Sequence, residues 1–480
     1  MTAALSLVIT NVTLIDGTGA PPRSGMTVVF QNGRVAAIGA MRDIEIPASS
    51  QRVDGAGKFL IPGLWDMHVH LANQPDSRLT LEIMAPLFVA HGIVGVRDMG
   101  SDFAVVQDLR AKIAASTIVG PRIISPGPMI DGPQEPYPAI CPVSTESEAR
   151  QAVRTLAARG VDFIKVQALL SPPAWRAVLD ESVAVGLPGM GHVPETVSAA
   201  DIPASAQRTI EHVSPALPGD AAIFLACSSV EAELRAEMLS IRQAAESATP
   251  DIDALRQRQR PLQERMLDTY DPARAEALFR RMRERGTVSV PTLIWSSTFR
   301  PGSADDPRPS LPLQFIPQPV RDQWTERWKA FVTAATPEAL ARHRKFAARS
   351  LELVGAMKRA GVTILAGSDS MDAHVLPGVS LHQELELLVK AGLSPLEAIQ
   401  SATCNGARLL GKLDQWSTLE VGKSADAVLL DADPLADIRN TRRIAAVVVG
   451  GALLDRPRLD SILAQVEATA AAWESQQKLQ

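Results

Sequence analysis

An α/β chain is expected, a (β/α)8 TIM barrel carrying a small composite β-sandwich domain built from both chain ends, and two textures predict it. In the middle of the chain short apolar runs alternate with helical stretches, the pattern of βαβ units around a parallel sheet. At both ends β-rich runs are closed by turn residues without helical periodicity. The 480 residues exceed one ordinary domain and suffice for a barrel with a smaller companion.

The first β-rich part covers residues 1–59. From Leu7 it reads "LVITNVTLIDGTG" and "MTVVFQNGRVAAIG", with "DGTG" and "QNGR" as turn signals and no helix signal before Leu60. Residues 60–412 form the barrel. Its eight strands are placed at Leu60 to Asp66, Ile93 to Met99, Arg122 to Pro126, Phe163 to Gln167, Gly186 to Val193, Thr209 to Val213, Val288 to Leu293 and Thr363 to Asp369.

At roughly 30 residues per βα unit, the stretch between the sixth and eighth strands is roughly 100 residues too long. A helical insertion over about 215–350 accounts for the excess. Within it, "EAELRAEMLSIRQAAES" and "DPARAEALFRRMRERG" carry thin apolar stripes between charged faces, Leu234, Met238 and Ile241 in the first. Two exposed amphipathic helices over the barrel mouth follow. The Pro-rich stretch Arg300 to Pro319 reads as irregular loop. Strand-like "GKSADAVLLDADP" and "RIAAVVVGGALL" complete the β-sandwich over residues 413–458, and residues 459–480 form a C-terminal helix.

Composition excludes several classes. Hydrophobic residues at 46% and charged ones at 21% exclude disordered and fibrous chains. The 48 basic and 53 acidic residues are interspersed, so no basic stripe offers a nucleic-acid surface. Cys141, Cys227 and Cys404 stand far apart without C-x-x-C spacing, which argues against disulfides and thiolate zinc and for a reducing compartment. The N-terminus lacks a basic n-region and no window reaches the length of a membrane span. A cytoplasmic location and no membrane partner are expected.

The chemistry starts at "LIPGLWDMHVHL". On a strand, His68 and His70 face the same side and can reach one ion together. Alone, H-x-H fits two ordinary polar side chains equally well. Five of the eight strands, however, end in or are followed by a potential ligand: His68 and His70, then Lys165, His192, His212 and Asp369. Active sites of such barrels lie at those strand ends, and this nitrogen- and oxygen-rich set suits zinc or a similar divalent ion. Asp66 shares the face of His68 and is read as support for the ligands. His91 is read as a helix C-terminal cap, His343 as part of a charged helix face and His382 as helix packing.

The motifs "PGLWDMHVH", "FIKVQ", "GH", "EH" and "GSD", with "LHQELELLVKAGLSPLEAIQSATCNGARLLG" and "GKSADAVLLDADPLADI", resemble the metal-dependent amidohydrolase superfamily. The resemblance is to its imidazolonepropionase-like branch, which also holds Xaa-Pro and Xaa-Arg dipeptidases, ochratoxin-type amidases and phenylurea hydrolases. It runs from Leu7 to Leu454 apart from the inserted helices.

The resemblance implies two divalent metal ions, zinc foremost. His68, His70 and Asp369 would hold one, His192 and His212 the other, with N-carboxylated Lys165 bridging. An ammonium between two cations would be repelled, whereas a carbamate offers each an anionic oxygen. The implied reaction is attack of a metal-activated hydroxide on a small molecule's amide-like C–N bond, in an N-acyl, peptide-like or aryl amide, urea or carbamate. Asp369 would serve as general acid-base.

A cyclic-amide or deaminating hydrolase of the imidazolonepropionase type is the alternative; a non-catalytic binding or assembly protein would lack ligands that are all present here. Relatives are commonly oligomeric, so a homo-oligomer is expected. Tyr137, Gln167, Trp295 and His374 are the candidate substrate contacts, from loops after the third, fourth, seventh and eighth strands. Two departures from the dipeptidases, "KVQALLSPP" in place of a Gly-Gly loop and Pro194 in "GHVPE" where a second histidine is common, argue against their mode of binding a free α-carboxylate. With the long insertion, they point to a more enclosed pocket for a bulkier or apolar acyl compound.

Overall fold

Both chain ends contribute to one sheet, as their shared texture predicts. The computed structural model describes residues 6–72, 77–134, 139–214, 220–245, 252–298, 308–333 and 336–477. Five strands come first: β1 (Leu7–Leu14), β2 (Arg23–Gln31), β3 (Arg34–Ala40), β4 (Gln51–Asp54) and β5 (Phe59–Pro62). β1 to β3 form an antiparallel meander, and β4 and β5 both run parallel to β1. The β2–β3 turn places Asn32 and Gly33 at φ of 53° and 71°, the left-handed pair that an Asn-Gly hairpin turn requires.

The expected first barrel strand, Leu60 to Asp66, is two strands. β5 belongs to the end sheet, which therefore reaches past residue 59, while β6 (Leu64–Val69) starts a separate parallel system. Gly63 divides them, and a Cβ there would lie 2.3 Å from Val94, so no other residue fits without displacing that valine.

β6, β7 (Ile93–Asp98) and β8 (Arg122–Ile124) form a parallel three-stranded sheet. β9 (Met129–Asp131), β10 (Ile140–Pro142), β11 (Ile164–Val166) and β12 (Gly189–Gly191) form a parallel four-stranded one in the order β10-β9-β11-β12. β13 (Thr209–Glu211) and β14 (Val288–Val290) form a parallel pair. Most of these strands are shorter than the sequence predicts, and β9 and β10 were not foreseen.

Isolated bridges and backbone bonds connect the groups. Asp162 N donates to Ser125 O at 2.9 Å, and parallel bridges join Gly189 to Gln207, Ser289 to Ile364 and Val69 to Ser370. The expected eighth strand, Thr363 to Asp369, is not a regular strand. It is an extended segment held by alternating backbone bonds to Ser289 on one side and to Met67 and His68 on the other, ending where Asp369 turns to a φ of 65°.

In the predicted insertion, helices run over Glu231–Ala245, Ile252–Asp268, Pro272–Arg285, Gln318–Thr333 and Pro337–Ala360. The first buries Leu234 and Met238 as its stripe requires, while Ile241 is half-buried. Of the expected loop Arg300 to Pro319, residues 300–307 lie outside the described residues. The rest holds two single turns, Arg308–Ser310 and Leu313–Phe315, before the helix from Gln318.

The chain then returns to the end sheet as β15 (Ala427–Leu430), β16 (Ile444–Val449) and β17 (Ala452–Asp455), completing eight strands with β15 antiparallel to β5. Leu7, Ile9, Phe30, Leu60, Leu429 and Val448 form part of its own apolar core. The last helix starts at Arg456, three residues before the expected boundary at 459, and runs to Gln477. Leu459, Ile462, Val466, Ala470 and Trp473 form its buried face at helical spacing. Among the described residues no helix is long and apolar enough to cross a membrane, and the three cysteines are free thiols.

Candidate metal centre

Alternation along a strand sends every second side chain to one face, and on β6 that face carries Asp66 and His68. His70 follows just past the strand's end. Lys165 lies in β11, His192 and His212 follow β12 and β13 directly, and Asp369 ends the segment between β14 and β6. Gly191 makes room for this: at its φ of 138° a Cβ would meet Val166 O at 2.1 Å and Lys165 Cδ at 2.9 Å.

The six predicted residues come together: five of them, joined by Asp220, make two groups of three donors, and Lys165 stands beside the second. In the first, His68 Nε2 and His70 Nε2 each lie 3.5 Å from Asp369 Oδ1. In the second, Asp220 Oδ1 lies 3.3 Å from His192 Nε2 and 3.9 Å from His212 Nε2. Lys165 Nζ is 2.9 Å from His192 Nδ1, and His212 Nδ1 is 3.9 Å from Asp369 Oδ2. Asp220 was not foreseen, because it follows no strand directly and belongs to no motif.

Hydrogen bonds fix how the imidazoles present themselves. His68 Nδ1 lies 3.0 Å from Glu211 Oε2 and His70 Nδ1 lies 3.1 Å from Gly100 O. Both partners only accept, so each Nδ1 carries the proton and each Nε2 lone pair faces Asp369. His68 Nε2 is fully buried and has no hydrogen-bond partner among the described residues. An orphaned buried nitrogen is costly, and a cation held with Asp369 removes that cost. The residues therefore fit divalent ions with nitrogen and oxygen ligands.

Glu211, the second unforeseen residue, is gripped by Arg97 Nη2 at 2.8 and 3.0 Å and by the Thr209 hydroxyl. Arg97 Nε in turn donates to Met67 O at 2.6 Å. The "EH" motif contains Glu211, but its partner stands 114 positions away, beyond any local pattern. Asp66 accepts from Ser368 N at 2.9 Å, from Ser368 Oγ at 2.5 Å and from His68 N at 3.3 Å. It ties the backbone at His68 to that of Ser368, next to Asp369, without touching an imidazole ring in these bonds.

Burial sets the protonation states. It holds the His68 and His192 imidazolium forms well below their ordinary range, aided by nearby cationic groups, and pushes His212 down to about 3. All three are neutral at pH 7, the form in which an imidazole can bind a metal ion. Burial raises Asp369 well above the carboxylate range, reinforced by Asp372 and Asp220, and raises Asp220 to about 7. Lys165 falls to about 8 for the same reason, against the pull of Glu211. His212, Thr292 and Asp369 adopt φ of 64°, 46° and 65°, left-handed values that non-glycine residues hold only where the surroundings enforce them.

Of the candidate substrate contacts, Tyr137 lies outside the described residues. Trp295 stands at the centre: its ring is 5.4 Å from that of His212, and its indole N–H donates to Asp372 Oδ2 at 2.6 Å. Gln167 Nε2 is 3.6 Å from Met129 Sδ, while its Oε1 is buried without a hydrogen-bond partner among the described residues. His374 packs 5.6 Å from the Trp324 ring of the insertion. His91 caps the helix Ala85–Ala90, with Nδ1 2.9 Å from Leu87 O, and buried His382 bridges Thr441 Oγ1 and His91 O at 2.9 Å each.

Comparison with known proteins matches residues 59–216 and 334–454 to the family described as "Amidohydrolase family". The ochratoxinase of Aspergillus niger is 25% identical over 503 aligned residues, covering 92% of this chain and 85% of that protein. Among solved structures, a bottromycin amidohydrolase superposes with a TM-score of 0.70 at 22% identity, covering 97% of this chain and 90% of the other. A Xaa-Pro dipeptidase with bound methionine in its active site superposes with a TM-score of 0.64 at 20% identity, covering 94% and 100%.

Proposed function

The chain belongs to the amidohydrolase family, hydrolases of carbon–nitrogen bonds, and from that premise we propose that it cleaves an amide-like bond of a small molecule at a binuclear metal centre. The observation that carries this reading is the buried, unpartnered His68 Nε2 facing Asp369 beside a second group of two imidazoles and a carboxylate. Closure of the parallel strands into one (β/α)8 barrel over residues 60–412, with the end sheet as a β-sandwich and residues 215–350 as a helical insertion, is part of the proposal. The links from Asp162, Gly189, Ser289 and Val69 support it, because they join each strand group to the next.

His68, His70 and Asp369 would hold one ion, His192 and His212 the other, and Lys165, carboxylated at Nζ, both. Bound there, two zinc ions supply Lewis acidity and a water acidic enough to attack at neutral pH. Lowered to about 8, Lys165 offers a neutral amine fraction that adds carbon dioxide with release of one proton, giving the anionic carbamate. Asp369 takes the proton of the attacking water and returns it to the leaving nitrogen, without which an amine is a poor leaving group. Trp295 beside His212 and Trp324 beside His374 supply flat apolar surface, which favours a substrate with an apolar or aromatic acyl part.

The test is to load the protein with zinc in bicarbonate buffer and screen N-acyl amino acids, dipeptides, anilides, aryl ureas and carbamates for amine release. Hydrolysis of at least one class is expected, with Asp369→Asn slower by roughly 10²- to 10⁴-fold at unchanged folding. A zinc-loaded protein inert towards every class, or an equally active Asp369→Asn variant, would sink the proposal.

A further inference from the structure

Asp220 lies between β13 and the short helix Ala222–Ala226, just beyond the first family-matched segment, which ends at residue 216. Nothing in that match assigns it a role. We infer that Asp220 is a direct protein ligand of the second ion, so that each ion is held by two imidazoles and one carboxylate. This rests on the binuclear reading above and extends it.

Three observations carry the inference. The first is distance. Donors bound at 2.0–2.2 Å to one tetrahedral zinc stand roughly 3.2–3.6 Å apart and never more than about 4.4 Å. Asp220 Oδ1 lies 3.3 Å from His192 Nε2 and 3.9 Å from His212 Nε2, inside that limit. The second is that one oxygen faces both nitrogens. A carboxylate that merely orients a histidine addresses a single ring, as Glu211 does for His68. The arrangement instead repeats that of the first group, where Asp369 Oδ1 stands 3.5 Å from both His68 Nε2 and His70 Nε2.

The third observation is burial. Asp220 is only 4% exposed, and an anion withdrawn from water needs a nearby positive charge. A divalent ion between Asp220, His192 and His212 meets that need, whereas Lys165, once carboxylated, would be an anion itself. With Asp220 as ligand, the second site no longer depends on the carbamate alone for its negative charge.

Cobalt(II) titration of the chelator-treated full chain tests this. Unaltered protein takes up two ions. Asp220→Ala is expected to keep the first ion unchanged and to bind the second at least roughly 100-fold more weakly. Asp220→Cys is expected to show a near-ultraviolet sulfur-to-cobalt charge-transfer band that grows with the second equivalent and is absent from unaltered protein. That band reports contact between residue 220 and the ion, which a structural role would not produce, and it needs no activity. Two ions bound with unchanged affinity in Asp220→Ala, together with no such band in Asp220→Cys, would overturn the assignment while leaving the binuclear centre standing. Fewer than two ions in unaltered protein would overturn the binuclear reading, and this inference with it.

Discussion

Which nitrogen each imidazole keeps free decides, residue by residue, whether the centre can hold an ion. His68 presents Nε2 only because Glu211 occupies Nδ1, and Glu211 stays in place because Arg97 and Thr209 hold it. In Glu211→Gln the anion is lost while the shape is kept, so the His68 ring loses its strongest restraint and Arg97 its counter-charge. We expect metal affinity or activity to fall roughly 10- to 100-fold, measured by calorimetric zinc titration. Unchanged affinity would reduce Glu211 to packing. The clustering of the candidate ligands was legible in the sequence, because His68, His70, Lys165, His192, His212 and Asp369 sit at or just past strand ends that alternation and spacing place on one side. Glu211 and Asp220 were not. Their roles depend on partners brought in by the fold, Arg97 from another strand and two imidazoles from different ones.

Among the strands and helices, tolerance is set by how closely neighbours approach. Gly95 on β7 lies under the indole of Trp65 on β6, and a Cβ there would be 2.1 Å from the Trp65 ring. Trp65 cannot retreat, since its other face stacks on Trp416 with centroids 4.2 Å apart and planes 9° from parallel. Gly95→Ala therefore forces the strands apart beneath the site. A loss of at least about 2 kcal/mol is expected, seen as a lower thermal midpoint; a variant as stable as the unaltered chain would contradict the packing described. Most of the elements were readable from apolar periodicity, whereas the short strands β9 and β10 and the ends of most elements were not. Periodicity cannot show that Gly63 splits one apolar run between two sheets, nor that Thr363 to Asp369 is held by alternating single bonds and closed by a left-handed Asp369.

The molecule as a whole is tied together across long sequence distances, by β5 against β15 and by His382. This histidine joins its own helix, Val379–Lys390, to Thr441 and to the cap at His91. Burial pushes its pKa from 6.5 down to about 3, against the backbone bond to His91. The folded state thus resists a proton that the unfolded chain accepts. The stability from neutral His382 is complete above pH 6.5 and lost progressively as pH falls toward 3. Thermal midpoints should drop over that window, and His382→Gln, less stable at pH 8, should lose less between pH 7 and pH 5; equal losses would place the acid sensitivity elsewhere. The proposed hydrolysis depends on the binuclear centre. Its most direct test is the metal content of the full chain after zinc loading and removal of free ions, read by mass spectrometry. Two ions per chain are predicted, and a chain that retains none would contradict the account.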